Sequence, residues 1–226
     1  MQIFKVLSAL LSYPTADLKA AIPELDAVLS GTGELPAKAR AGLRCLLEEI
    51  DRSDLYELQE RYVALFDRGR QLSLHLFEHV HGESRDRGQA MVNLVETYRA
   101  NGLELSAREL PDYLPLFLEF LAVIPERRAR ELLADAMPII VLLAERLNAR
   151  SCAYSGVLDA VIAVGGAPAD ASSIRRQVAS EGPDETIEQM DRIWEEEAVA
   201  FMGGQAGDCA GRAPVEQPLR QVARPR

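Results

Sequence analysis

The sequence predicts an all-α protein, and three observations carry that reading. Apolar residues recur at helical spacing in segment after segment, as in Ile3, Val6, Leu7 and Leu10. No window of comparable length alternates with the period of two that a half-buried strand requires. Between the periodic segments stand the residues that begin and end helices, among them Tyr13-Pro14, Asn101-Gly102 and Gly165-Gly166. No unit repeats along the chain, which argues for a bundle rather than a solenoid.

Taken in order, Tyr13-Pro14 ends the first helix, and Thr15 can cap a second that Pro23 interrupts before Gly31 and Gly33 stop it. Pro36 sits where a first helical turn tolerates it, and Leu43, Leu46, Leu47 and Ile50 form the next apolar stripe. Ser53 is the expected cap of a fourth helix, with Leu55, Leu58, Tyr62 and Leu65 on its buried side and Gly69 at its end. Met91, Leu94, Val95 and Tyr98 repeat the spacing until Asn101-Gly102. The segment ELPDYLPLFLEFL (109–121) contains two prolines, yet a helix beginning at Asp112 puts Pro115 where the N–H has no intrahelical partner. Leu114, Phe117, Leu118 and Leu121 then share one face, and Asp112 complements the positive end of the macrodipole. Pro125 opens a longer pattern through Leu132, Ala136, Ile139, Ile140, Leu143 and Leu147, within which Pro138 predicts a kink or a break. Tyr154, Val157, Leu158, Val161 and Ile162 make another helix, and Ile187, Met190, Trp194, Ala198 and Phe201 the last.

A chain of 226 residues can bury one sizeable core, and we expect a single helical-bundle domain over residues 1–204. Residues 205–226 carry Gly and Pro, no periodicity, and Arg212, Arg220, Arg224 and Arg226, the composition of a disordered tail. Twenty-five Lys and Arg against 35 Asp and Glu leave a net charge of −10, the wrong sign for neutralising nucleic-acid phosphates. A basic or amphipathic partner suits it better. The longest apolar run, Ile139 to Ala144, is far short of the roughly 20 residues that cross a bilayer. MQIFKVLSALLSYP has no signal-peptide cleavage pattern, so a cytoplasmic location without membrane insertion is expected. Cys45, Cys152 and Cys209 include no C-x-x-C pair and support neither a disulfide framework nor a zinc site.

Chemistry concentrates between Leu65 and Val92, which holds every histidine and both copies of Asp-Arg-Gly. His75-Leu-Phe-Glu78-His79 matches the H-x-x-E-H pattern of inverted zinc peptidases, in which two histidines one turn apart bind zinc and the glutamate is the general base. The competing reading is structural, with the imidazoles bonded to backbone or carboxylates at the edge of the core. It is preferred because nothing downstream singles out a third ligand, Glu145 being the nearest candidate. A zinc hydrolase is therefore the alternative, and a scaffold or dimerisation module a third reading. In HGESRDRG (81–88), Ser84 can cap the following helix with Asp86 in its first turn, and mixed charge beside apolar groups suits an amphipathic helical ligand.

The segments ERYVALFDRGR (60–70), LFEHVHGESRDRGQAMV (76–92), ELPDYLPLFLEFL (109–121) and WEEE (194–197) resemble the nitrate reductase delta-subunit family of molybdenum-cofactor assembly chaperones, within the TorD-like superfamily. Tyr62, Leu65 and Phe66 match its Y-x-x-L-F block, followed here by Asp67, Arg68 and Gly69, while Glu78, Arg85 and Asp86 lie in the middle block. Asp112 matches the aspartate of a D-H block in which this chain has Tyr113 in place of histidine. The resemblance implies an all-helical cytoplasmic chaperone with no catalytic residues, metal or resident cofactor. It also implies a client, the apo catalytic (alpha) subunit of respiratory nitrate reductase, gripped at its N-terminal leader-like segment. Molybdenum cofactor and iron–sulfur cluster would then be inserted before membrane anchoring, with molybdenum-cofactor biosynthesis proteins as further partners. The expected client groove has Phe77, His79, Glu83 and Arg87 on one side and Asp112, Tyr113 and Phe117 on the other.

Overall fold

The computed structural model describes residues 2–31, 33, 35–82, 84–105, 109–182 and 184. Helices are the only regular elements among them. They are α1 (Gln2–Leu11), α2 (Ala16–Ala20), α3 (Ile22–Gly31), α4 (Ala37–Arg52), α5 (Leu55–Phe66), α6 (Leu76–His81), α7 (Arg85–Ala100), α8 (Leu114–Val123), α9 (Glu126–Ala149), α10 (Ser155–Gly165) and α11 (Ala171–Ala179). The expected helix through Trp194 and Phe201, the WEEE block and the 205–226 tail lie outside the described residues.

The core is built where apolar stripes are widest. In α1, Ile3, Phe4, Val6, Leu7, Leu10 and Leu11 are buried, and the helix lies against α8 and α10. The α8 stripe of Leu114, Phe117, Leu118 and Leu121 is fully inside, and Ser8 donates to the Pro115 carbonyl at 2.7 Å, tying α1 to the start of α8. The long α9 supports α10 and α11, and α10 also packs on α4. The α4–α10 crossing is close because glycines meet there: a Cβ on Gly156 would stand 2.7 Å from the Gly42 carbonyl carbon.

Most local signals act as the sequence predicts. Thr15 Oγ1 accepts from Leu18 N–H at 3.1 Å, and the α2–α3 break falls at Ala21, just before Pro23. Lys19 Nζ donates to the carbonyls of Ile50, Asp51 and Ser53, neutralising the end of α4. Four expectations need correction. Asp54, not Ser53, caps α5, its carboxylate accepting from Tyr56 N–H at 2.8 Å. On α5, Phe66 is buried, and Leu55 and Leu65 are only half-buried. Of the kink or break expected at Pro138, the break does not occur: α9 runs through it, and the carbonyl that loses its helical partner belongs to the exposed Ala134. Finally, α8 begins at Leu114, so Asp112 precedes it instead of opening it.

Candidate functional site

Two motif blocks far apart in sequence meet in a single short bridge. Leu114 N–H donates to the Leu74 carbonyl at 2.8 Å and Leu76 N–H to the Asp112 carbonyl at 3.0 Å, setting His75 opposite Tyr113. Leu72, Ser73, Leu74 and Leu76 are all buried, which anchors this strand-like segment beneath α6. The loop before it is clamped from the far side by Arg146, which donates to the Gln71 carbonyl at 2.6 Å and grips Glu181 through two nitrogens at 2.8 Å. That contact holds the Glu181 carboxyl below its usual range.

Asp112 sits at the centre of the bridge with no exposed surface. Its Oδ2 accepts from Phe77 N–H at 3.1 Å while its carbonyl takes Leu76 N–H. Leu76 and Phe77 open α6, where N–H groups lack intrahelical partners, so Asp112 caps a helix 35 residues upstream of itself. An imidazole and a guanidinium flank the carboxylate: His75 Nδ1 lies 3.4 Å from Oδ1, and Arg87 Nη2 lies 3.9 Å from Oδ2 and 3.3 Å from Glu78 Oε1. The His75 contact is an electrostatic one without hydrogen-bond alignment, since His75 Nδ1, Asp112 Oδ1 and Arg87 Nε are all buried with no hydrogen-bond partner among the described residues. Burial pushes the Asp112 carboxyl up, but His75, the Phe77 N–H and Arg87 outweigh it and hold the group below the usual carboxylate range. Asp112 in turn raises the His75 imidazole above its ordinary value, against the effect of burial.

On the other side of the bridge stands an aromatic cluster. Tyr62 O–H donates to the Leu11 carbonyl at 2.8 Å, which leaves Tyr113 O–H as donor to the Tyr62 oxygen, also at 2.8 Å. The Tyr62 ring packs edge-on to Tyr13 and Tyr154 and tilted against Phe66. Burial raises its phenol. The Y-x-x-L-F block therefore fastens α5 to the end of α1 and to position 113. The imidazole beside the aspartate is supplied by His75, since position 113 holds a tyrosine; their rings lie 5.4 Å apart.

The residues expected to line a groove divide by depth. Phe77, His79, Arg87 and Tyr113 are half-buried, whereas Asp112 and Phe117 are buried; the Phe117 ring packs towards Phe120. Glu83 lies outside the described residues. His79 Nε2 is 2.8 Å from the Ser73 carbonyl, and burial lowers its imidazole. Asp67 is the C-cap of α5, where burial raises its carboxyl against His75. Arg68 is exposed and Gly69 half-buried, while Arg85 and Asp86 are exposed at the start of α7 behind Ser84. The H-x-x-E-H reading requires both imidazoles on one helix face, but His75 is the N-cap of α6 and faces Asp112 while His79 faces Ser73. Among the described residues no group of three or more His, Cys, Asp or Glu is placed to hold a metal, and Glu145 pairs with Arg175 at 2.7 Å. Sequence reasoning missed His75 as the partner of Asp112, and Tyr98, whose O–H donates to the Pro111 carbonyl at 2.7 Å and fixes the approach to Asp112.

Every block that builds this centre lies within residues 15–158, the stretch matched by the family model described as nitrate reductase delta subunit. The chain belongs to the nitrate reductase delta subunit family. This family member is 42% identical over 206 residues to the nitrate reductase molybdenum cofactor assembly chaperone NarJ of Escherichia coli (strain K12), covering 91% of the chain and 87% of that relative. It is 39% identical over 223 residues to the probable nitrate reductase molybdenum cofactor assembly chaperone NarW of the same strain, with 99% and 93% covered. A probable NarJ of Bacillus subtilis (strain 168) is 32% identical over 163 residues, with 71% and 86% covered. These relatives are named as assembly chaperones and not as enzymes. Among the described residues no helix is long and apolar enough to cross a membrane.

Proposed function

We propose that this chain is a cytoplasmic molybdenum-cofactor assembly chaperone for nitrate reductase and performs no turnover of its own. The observation that carries the reading is the similarity to NarJ over 91% of the chain, which includes every residue of the Asp112 centre. Its client is the apo catalytic subunit, held by the N-terminal leader-like segment while molybdenum cofactor and iron–sulfur cluster are inserted, before membrane anchoring. Molybdenum-cofactor biosynthesis proteins join as further partners. Phe77, His79, Arg87 and Tyr113 touch the client, with Glu83 beside them; Asp112 and Phe117 position these groups from below. An acidic chain with net charge −10 suits a basic amphipathic segment.

Calorimetric titration of a synthetic peptide covering roughly the first 15 residues of the cognate catalytic subunit tests the reading, since a 15-residue helix spans about 22 Å. One-to-one binding at micromolar strength or better, about −8 kcal/mol, is expected. Absence of binding by the full chain at two pH values would overturn it.

A further inference from the structure

The α7 helix is fastened at its two ends and left partly open between them. Arg87, Met91, Leu94, Val95 and Tyr98 share one face by helical spacing. Arg87 is held by Glu78 at one end, and Tyr98 by the Pro111 carbonyl and by the Phe120 ring, 4.5 Å away, at the other. Of the apolar stripe only Tyr98 is buried; Met91, Leu94 and Val95 remain half-buried, and the neighbouring Val92 is 51% exposed. Leu94 packs against the core, and the described residues leave Met91, Val92 and Val95 only partly covered, an amphipathic surface of the kind that takes a partner.

The stripe runs into a recess of about 250 Å³ between the end of α7 and α8. Tyr98 and Phe120 form its floor, Leu116 and the 52%-exposed Val123 its far wall, and Glu104 and Glu119 its exposed rim. The volume is below the roughly 300–1,000 Å³ of sites that enclose a whole small molecule, and it suits one or two apolar side chains of a larger partner. Neither rim carboxylate enters an ion pair among the described residues, and no Lys or Arg there lines the recess. Basic flanks on a partner would complement this rim. With 16 residues, α7 is about 24 Å long, the length of a helix of some 15 residues laid beside it.

We propose that the α7 stripe and the α7–α8 recess take a basic amphipathic helix, with an apolar anchor between Tyr98 and Phe120 and Lys or Arg groups beside Glu104 and Glu119. The inference rests on the chaperone reading, the helix being the client's N-terminal segment. It extends the site from the Asp112 centre, where Arg87 begins the same face, to the opposite end of α7.

The test uses the full chain and the same synthetic peptide, titrated into wild type, the double charge reversal Glu104→Lys/Glu119→Lys, and Val123→Asp. All three sites are exposed, and circular dichroism checks that each variant folds. The reversal is expected to weaken binding at least roughly tenfold and to flatten its salt dependence. Val123→Asp should weaken it at unchanged helicity. Wild-type binding that both variants retain overturns the recess and leaves the chaperone reading standing. A wild-type chain that does not bind the peptide overturns both.

Discussion

Asp112 and His75 shift each other's protonation in opposite directions, and the consequence for stability can be worked out in sign. Because Asp112 raises the His75 imidazole, the folded chain holds that proton more tightly than the unfolded one. The His75 contribution is therefore fully present below about pH 6.5 and is lost as pH rises through the higher folded value. Asp112 is shifted down, so its contribution is present above about pH 4 and is lost as pH falls toward the lower folded value. The pair is worth most between those limits. His79 runs the other way: burial lowers it, the unfolded chain takes the proton more readily, and stability declines as pH drops below about 6.5. Urea midpoints at pH 8 and pH 6 should show the gap between wild type and His75→Gln widening as pH falls, while the gap for His79→Gln narrows. A His75→Gln gap that stays constant would remove the ion pair with Asp112. None of this coupling was legible in the sequence. Asp112 reads as the first turn of the helix that follows it, but its carboxylate serves a helix 35 residues upstream, and a one-residue bridge between two loops has no periodic signature.

At the scale of elements, two glycine substitutions separate close approach from mere helix propensity. A Cβ on Gly156 would lie 2.7 Å from the Gly42 carbonyl carbon, backbone against backbone, so Gly156→Ala must push α4 and α10 apart. Overpacking of this kind costs about 1–3 kcal/mol. Gly88 sits inside α7 with nothing within 4 Å of its would-be Cβ, and Gly88→Ala should stabilise by about 0.5–1 kcal/mol. Thermal denaturation of both variants checks the contrast; equal and small effects would mean that the crossing relaxes at no cost. The stripes that create such crossings were legible. Those of α1, α4 and α8 are buried as their spacing predicts, and that of α10 except for the half-buried Ile162. The α11 helix was not: ASSIRRQVA buries only Ile174 and is held from outside by α9 and the Arg175–Glu145 pair. Its helicity is conferred by tertiary contact, which local pattern does not contain.

For the molecule as a whole, stability is distributed unevenly, and the unevenness falls where binding is proposed. The α1, α8 and α10 helices bury most of their side chains and pack on several neighbours, whereas α7 buries Tyr98 alone and, among the described helices, has α6 as its main neighbour. Fold class was legible from periodicity because it depends on those inner stripes; the open middle of α7 was not, since Met91, Leu94 and Val95 have the same spacing as a core face. Backbone amides of α7 should open by local fluctuation well below the global unfolding free energy, while those of α10 exchange only near it. Hydrogen exchange on the full chain should therefore show the Met91–Glu96 amides exchanging fastest among the interiors of the longer helices. Addition of the client peptide should slow that exchange and leave α10 unchanged, because a helix laid along α7 supplies apolar cover that the described residues do not. Protection of α7 equal to that of α10 in the free protein would mean that the stripe is already covered, leaving no surface there for a client to complete.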